Sequence, residues 1–99
     1  MKTQIKILLS SIVSNTETNS EGVKLFCVIA KAIRSEESIL LEIDSNMTLS
    51  SSFLNSSLGE IIDNHDIDVL KTHLKIQTTK TQFERINTYL NKYNNAYHR

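Results

Sequence analysis

The chain has 99 residues, with 11 basic against 11 acidic side chains, a formal net charge of 0, 39% hydrophobic residues and a mean hydropathy of −0.23. That length supports one hydrophobic core, so residues 1–99 read as a single domain with no room for a deep substrate cleft beside the core. Balanced, scattered charge excludes a general nucleic-acid binder, whose affinity comes largely from neutralising phosphates. No stretch approaches the roughly 20 apolar residues of a membrane span, and a cytoplasmic location follows by default.

Residues 3–9 read as a strand, with Ile5 and Ile7 alternating with Gln4 and Lys6 before Leu8 and Leu9 extend the apolar run. Ser10 to Ser20 is a polar loop. The first helix is expected over about 20–34, capped by Asn19 or Ser20, with Glu21 at the positive end of its dipole and Arg34 at the other. Phe26, Ile29, Ala30 and Ile33 recur at helical spacing as its inward face. Leu25, Val28 and Ala32 widen the apolar arc, which is either buried or partly an interface. Cys27, the single cysteine, has no partner for a disulfide and reads as a small packed hydrophobe.

Residues 38–44 form the clearest strand. The unbroken run Ile39-Leu40-Leu41 suggests a sheet covered on both faces. Ser50-Ser51-Ser52 opens a second helix, about 51–64, because a serine hydroxyl meets the free amides of a first turn. Leu54, Leu58, Ile61 and Ile62 form its apolar face. Ser52, Asn55, Ser56, Gly59 and Asp63 form a second, small and polar face. Gly59 inside a helix costs on the order of 1 kcal/mol against alanine, which suggests that something comes close there. Ile67 to Thr72 reads as a connector or one helical turn, 73–77 as a third strand, and 80–95 as a last helix with Phe83, Ile86, Leu90 and Tyr93 inward and Thr79 or Thr81 as cap. Three strand–helix units argue for an α/β fold: a mostly parallel sheet of three to four strands with about three packed helices.

The search for chemistry returns little. Asp63, His65 and Asp66 straddle a helix end, so their side chains diverge rather than converge on a metal, and His65 reads as covering that end. Two isolated glycines make no phosphate loop, and no serine stands in a nucleophile-elbow context. Glu36 and Glu37 read as a solvated loop. No enzyme activity and no cofactor are expected. The serine run at 50–52 has two readings: simple capping, or a phosphorylation switch in which added negative charge makes or blocks a contact.

Residues 38–62 carry an apolar strand ending in Asp44, then Ser51-Ser52-Phe53-Leu54, then Leu58-Gly59. This pattern resembles the bacterial STAS-like domains of unknown function, distant relatives of the anti-sigma-factor antagonists. The likeness continues more weakly through Leu74-Lys75-Ile76, Ile86 and Tyr89-Leu90, and covers about residues 20–95. It implies a small, non-enzymatic STAS-like domain that binds a partner protein. In the antagonists the partner is a serine-kinase-like ATPase that phosphorylates a serine at this helix start, and Ser51, then Ser52, occupies that place. The sequence departs from theirs in carrying Ser50 where they have Asp and Phe53 where they have Gly.

The leading expectation is a regulatory module that docks a partner through Ser51, Ser52, Asn55, Ser56, Gly59 and Asp63. The alternative is a small-ligand or nucleotide sensor holding an anion at the start of the second helix. A homodimer through the first helix or the strand at 3–9 is a third expectation.

Overall fold

The computed structural model describes residues 4–97; Thr3, at the start of the expected first strand, and His98 lie outside them. Strand β1, Gln4–Leu8, pairs in parallel with β2, Ser38–Glu42, which pairs in parallel with β3, Leu74–Gln77. The strand order is β1-β2-β3. Ile5 and Ile7 stand opposite Ile39 and Leu41, which in turn stand opposite Leu74 and Ile76. These registered positions share one face of the sheet, because side chains alternate along a strand. Between β1 and β2 runs helix α1, Asn19–Arg34. Between β2 and β3 run α2, residues 51–64, and α3, Ile67–His73. After β3 comes α4, Lys80–Tyr97. Parallel crossovers are right-handed, so strands added in one direction put the helices of both crossovers on the same face.

The result is a two-layer α/β fold, and the expectation of a sheet covered on both faces is corrected. Ile39, Leu41 and Ile43 are buried under the helices, whereas Leu40 is only half-buried. Leu40 shares its face with Lys6, Glu42, Lys75 and Gln77, and Lys6 reaches Glu42 at 3.3 Å there. The core is built from Leu9, Ile29, Phe53 and Ile61, each 0% exposed, with Leu25, Leu58, Ile62 and Leu70 around them.

Local signals explain the helix ends. Thr18, one residue before the expected caps, accepts the Glu21 amide and opens α1. Asp66 Oδ1 accepts the Val69 amide at 2.7 Å, which makes a capped seven-residue helix of the segment expected to be a connector or a single helical turn. His73, expected to open β3, instead closes α3; its Nδ1 donates to the Glu37 carbonyl at 2.7 Å, which fixes the tautomer. Thr79 caps α4 by accepting the Gln82 amide at 3.2 Å.

The inward stripe of α1 is also rotated from the expected one. Ile29 and Ala30 are buried as expected, Gly22, Leu25 and Ala32 are buried with them, and Phe26 and Ile33 sit half-buried on the flanks. Cys27 is exposed, contrary to its reading as packed, because it lies two residues, about 200°, from both Leu25 and Ile29. In α4 only Ile86 and Leu90 are buried, and Phe83, expected inward, is 46% exposed. Among the described residues no helix is long and apolar enough to cross a membrane.

Candidate functional site

The loops at the carboxyl ends of β1 and β2 are stitched together where α2 begins. The Thr16 hydroxyl donates to the Thr48 carbonyl at 2.7 Å, and the Ser50 amide donates to the Thr16 carbonyl at 3.0 Å. The Ser50 hydroxyl accepts the Phe53 amide at 3.1 Å and donates to the Glu17 carbonyl at 2.8 Å. Ser50 is thus the structural member of the serine triplet: it caps α2 and ties it to the first loop. Ser51 and Ser52 follow on the exposed first turn.

Helix α2 is not regular. Ser51–Leu54 and Glu60–Asn64 are α-helical, and Asn55–Gly59 between them is π-helical. Two serine hydroxyls bond back to carbonyls one turn earlier in this wider turn. Ser56 Oγ donates to the Ser52 carbonyl at 2.9 Å, and Ser57 Oγ, wholly buried, donates to the Phe53 carbonyl at 2.7 Å.

The six residues expected to form one docking face are distributed over three environments. Ser51 and Ser52 are exposed. Ser56 turns toward α1, where Gly22 allows a very close approach: a Cβ on Gly22 would run into the Ser56 hydroxyl and lie 2.6 Å from the Phe53 carbonyl oxygen. Gly59 is buried under α4, and Asn55 and Asp63, both exposed, flank it within reach of the same helix. Tyr89 donates its hydroxyl to Asn55 Oδ1, and Tyr93 donates to Asp63 Oδ2 at 2.8 Å. Gly59 is buried beneath the Tyr93 ring, which a Cβ there would meet at 3.0 Å. The close approach that Gly59 signalled in the sequence is therefore made, in this structure, by the chain itself.

The tyrosines form a ladder along α4. Tyr89 and Tyr93 stack with centroids 5.9 Å apart, and Tyr93 and Tyr97 lie 4.7 Å apart. Burial, then the neighbouring Tyr97 and Asp63, push the Tyr89 phenol up to about 12. Burial and the bond to Asp63 raise that of Tyr93 further. Both remain neutral donors across the ordinary pH range.

Two hollows flank the start of α2. One, of about 210 Å³, is lined by Ser51, Leu54, Arg85 and Tyr89 among others. It places a cation of α4 beside the serine expected to be modified. The other, of about 420 Å³, lies between the stitched loops; its lining includes Asn15, Thr16, Glu17 and Asn46, with one carboxylate and no lysine or arginine. That lining offers nothing cationic to an anionic ligand or nucleotide. His65 ends α2 exposed, its amide bonded to the Ile61 carbonyl at 2.9 Å. Among the described residues no group of three or more His, Cys, Asp or Glu converges as metal ligands.

Sequence reasoning missed Tyr89 and Arg85 at this site and placed Tyr93 in the core. The spacing of Tyr89, Tyr93 and Tyr97 by four residues was the available signal, since it puts three aromatic hydroxyls on one helix face.

Comparison with known proteins found one family, described as STAS-like domain of unknown function (DUF4325), matching residues 21–82. No curated protein and no solved structure matches the chain. The matched segment runs from the first turn of α1 to the first turn of α4 and takes in β2, α2 and β3. With the parallel α/β architecture and the capped serine turn inside it, the chain belongs to the STAS-like domain family, whose members are non-catalytic regulatory modules.

Proposed function

We propose that this protein is a regulatory docking module that engages a partner protein at the start of α2, through Ser51 and Ser52 first and Asn55, Ser56, Gly59 and Asp63 beyond them. The observation that carries the proposal is the division of labour in the serine triplet. Ser50 spends its hydroxyl on the cap, whereas Ser51 and Ser52 stand exposed on the same turn. A serine-kinase-like ATPase is the partner that best fits, with Ser51, then Ser52, as acceptor. A phosphate on Ser51 brings roughly −1.5 to −2 of charge into the hollow that Arg85 borders. It would change the sign of the surface where the partner lands.

The test is capture of the partner by the tagged full-length chain from the cells that express it. Ser52→Arg sets a long cation on the proposed contact and should remove the co-purifying protein. Lys6→Glu, on the opposite, helix-free face of the sheet, should leave it in place. A partner retained by Ser52→Arg, or lost equally from both variants, puts the contact elsewhere.

A further inference from the structure

We propose that α4 is a reversible cover over α2: its outer half swings away as a unit, below the threshold of global unfolding, uncovers Gly59 and frees the exposed side chains of Asn55 and Asp63 from the tyrosine hydroxyls bonded to them. The proposal rests on the docking role of α2 given above and adds its regulation.

The contact between the two helices is polar and local. It includes the Tyr89 hydroxyl on Asn55, the Tyr93 hydroxyl on Asp63, and the Tyr93 ring lying on the bare backbone of Gly59. Apolar anchoring is thin. Of the 18 residues of α4, Ile86 and Leu90 are buried and Tyr89 and Tyr93 are half-buried against the core, while Phe83 is 46% exposed and Tyr97 is 69% exposed. Between the helix and α3 and β3 runs an open groove of about 310 Å³ bordered by Leu70, Leu74, Ile76 and Ile86, and also by Lys71 and Lys75. Side chains that face an open groove lack partner atoms on that side and so tie the helix less firmly to the rest of the domain. Local opening is drawn from such segments.

The two ends of α4 differ. At its start the Thr79 cap and the bond from Gln82 Nε2 to the Asp44 carbonyl, 3.1 Å, hold the helix to the β2 loop. The tyrosine contacts lie about two and three turns beyond Gln82. A break after the first turn, near 83–85, therefore leaves the start in place while the outer half departs, and the face it leaves is continuous with exposed Ser51 and Ser52. The family match ends at residue 82, so the covering half of α4 lies beyond it.

Native-state amide hydrogen exchange on the full-length chain tests this without any partner. Amides at 86–96 should exchange at least about 100-fold faster than those of Leu25–Ala32, the signature of a separate opening unit. The double variant Tyr89→Phe, Tyr93→Phe keeps both rings and removes both hydroxyl bonds. It should speed exchange at 86–96 by a further roughly tenfold and leave Leu25–Ala32 unchanged. Equal exchange in α4 and α1, or equal acceleration of both, overturns the cover. In a second arm, the double variant should capture more of whatever protein Ser52→Arg loses, and equal capture overturns the masking role. A wrong docking assignment shows itself differently, by capture that survives Ser52→Arg while the exchange pattern stays as expected.

Discussion

On one side of α2 lies the backbone of α1, on the other a row of tyrosines from α4, and a glycine marks each contact. The two glycines do different work. Gly22 brings two helix backbones together: any Cβ there would lie 2.6 Å from the Phe53 carbonyl oxygen, an atom fixed in the core-facing helix. Gly59 makes room for a ring, and the atom a Cβ would meet, at 3.0 Å, is Cζ of a side chain on a terminal helix. The first neighbour has nowhere to go and the second can move. Closeness is thus no measure of how firmly a contact holds; what matters is whether the neighbour is anchored elsewhere. The side of α2 facing α1 is structural and permanent, while the side facing α4 is available for exchange.

The same substitution on the two sides separates these roles. Gly22→Ala overpacks a rigid contact and should cost about 1–3 kcal/mol, read as a lower midpoint in urea unfolding. Gly59→Ala should stay within about 1 kcal/mol of wild type, because the helix propensity gained by alanine offsets the displacement of Tyr93. It should nevertheless loosen α4, seen as faster exchange confined to that helix. Equal global losses from the two variants would mean that α4 is as much part of the core as α1.

A smaller effect tests how α1 is fixed at its start. The Glu21 carboxylate takes the Lys24 ammonium at 2.8 Å and the Ser14 amide at 2.5 Å, tying the first loop to the turn that carries Gly22. The Lys24 contact first, and the Ser14 amide next, hold the carboxyl below its ordinary value of 4.5. The folded state therefore prefers the charged form. Its stabilisation is fully present above the unfolded value and is lost as pH falls through the lower, folded one. The melting temperature of Glu21→Gln should lie below wild type at pH 7, and the gap should close below about pH 4. A gap that widens in acid would reverse the assignment.

Much of this arrangement was legible in the residues. The α/β class, the parallel order and the capped serine turn follow from alternation, crossover length and the chemistry of a serine before Phe53-Leu54. What escaped has identifiable causes. The sheet is covered on one face, and the run Ile39-Leu40-Leu41 hides this because Leu40, like the exposed Leu8, lies on a largely polar face, between the Lys6 and Lys75 side chains. The π-helical turn at Asn55–Gly59 changes backbone bonding without changing which residue types are apolar, so no periodicity announces it. Above all, a small polar stripe on a helix states that a neighbour approaches closely, but not whether the neighbour belongs to the same chain. Gly59 announced an approach; only the fold names Tyr93 as the group that makes it here.

The smallest effect concerns a position where the backbone asks for glycine and the sequence supplies none. After α1 the chain turns through Glu36 at φ 56°, with the Glu37 amide donating to the Ala32 carbonyl at 2.8 Å and the Glu36 amide to the Ile33 carbonyl at 3.1 Å. This pair of bonds is the Schellman closure of a helix, whose left-handed residue is most often glycine. An L residue there costs roughly 1–2 kcal/mol, and glycine returns part of that gain through the greater freedom of its unfolded chain. Because the Glu36 side chain is exposed, the substitution removes no packing. Glu36→Gly should therefore stabilise the domain by about 0.5–1 kcal/mol, read as a higher urea midpoint with an unchanged slope. It should slow exchange in α1 and leave the outer half of α4 as open as before, since the two sides of α2 are held independently. Slowing in both helices would instead tie α4 to the same cooperative unit as α1.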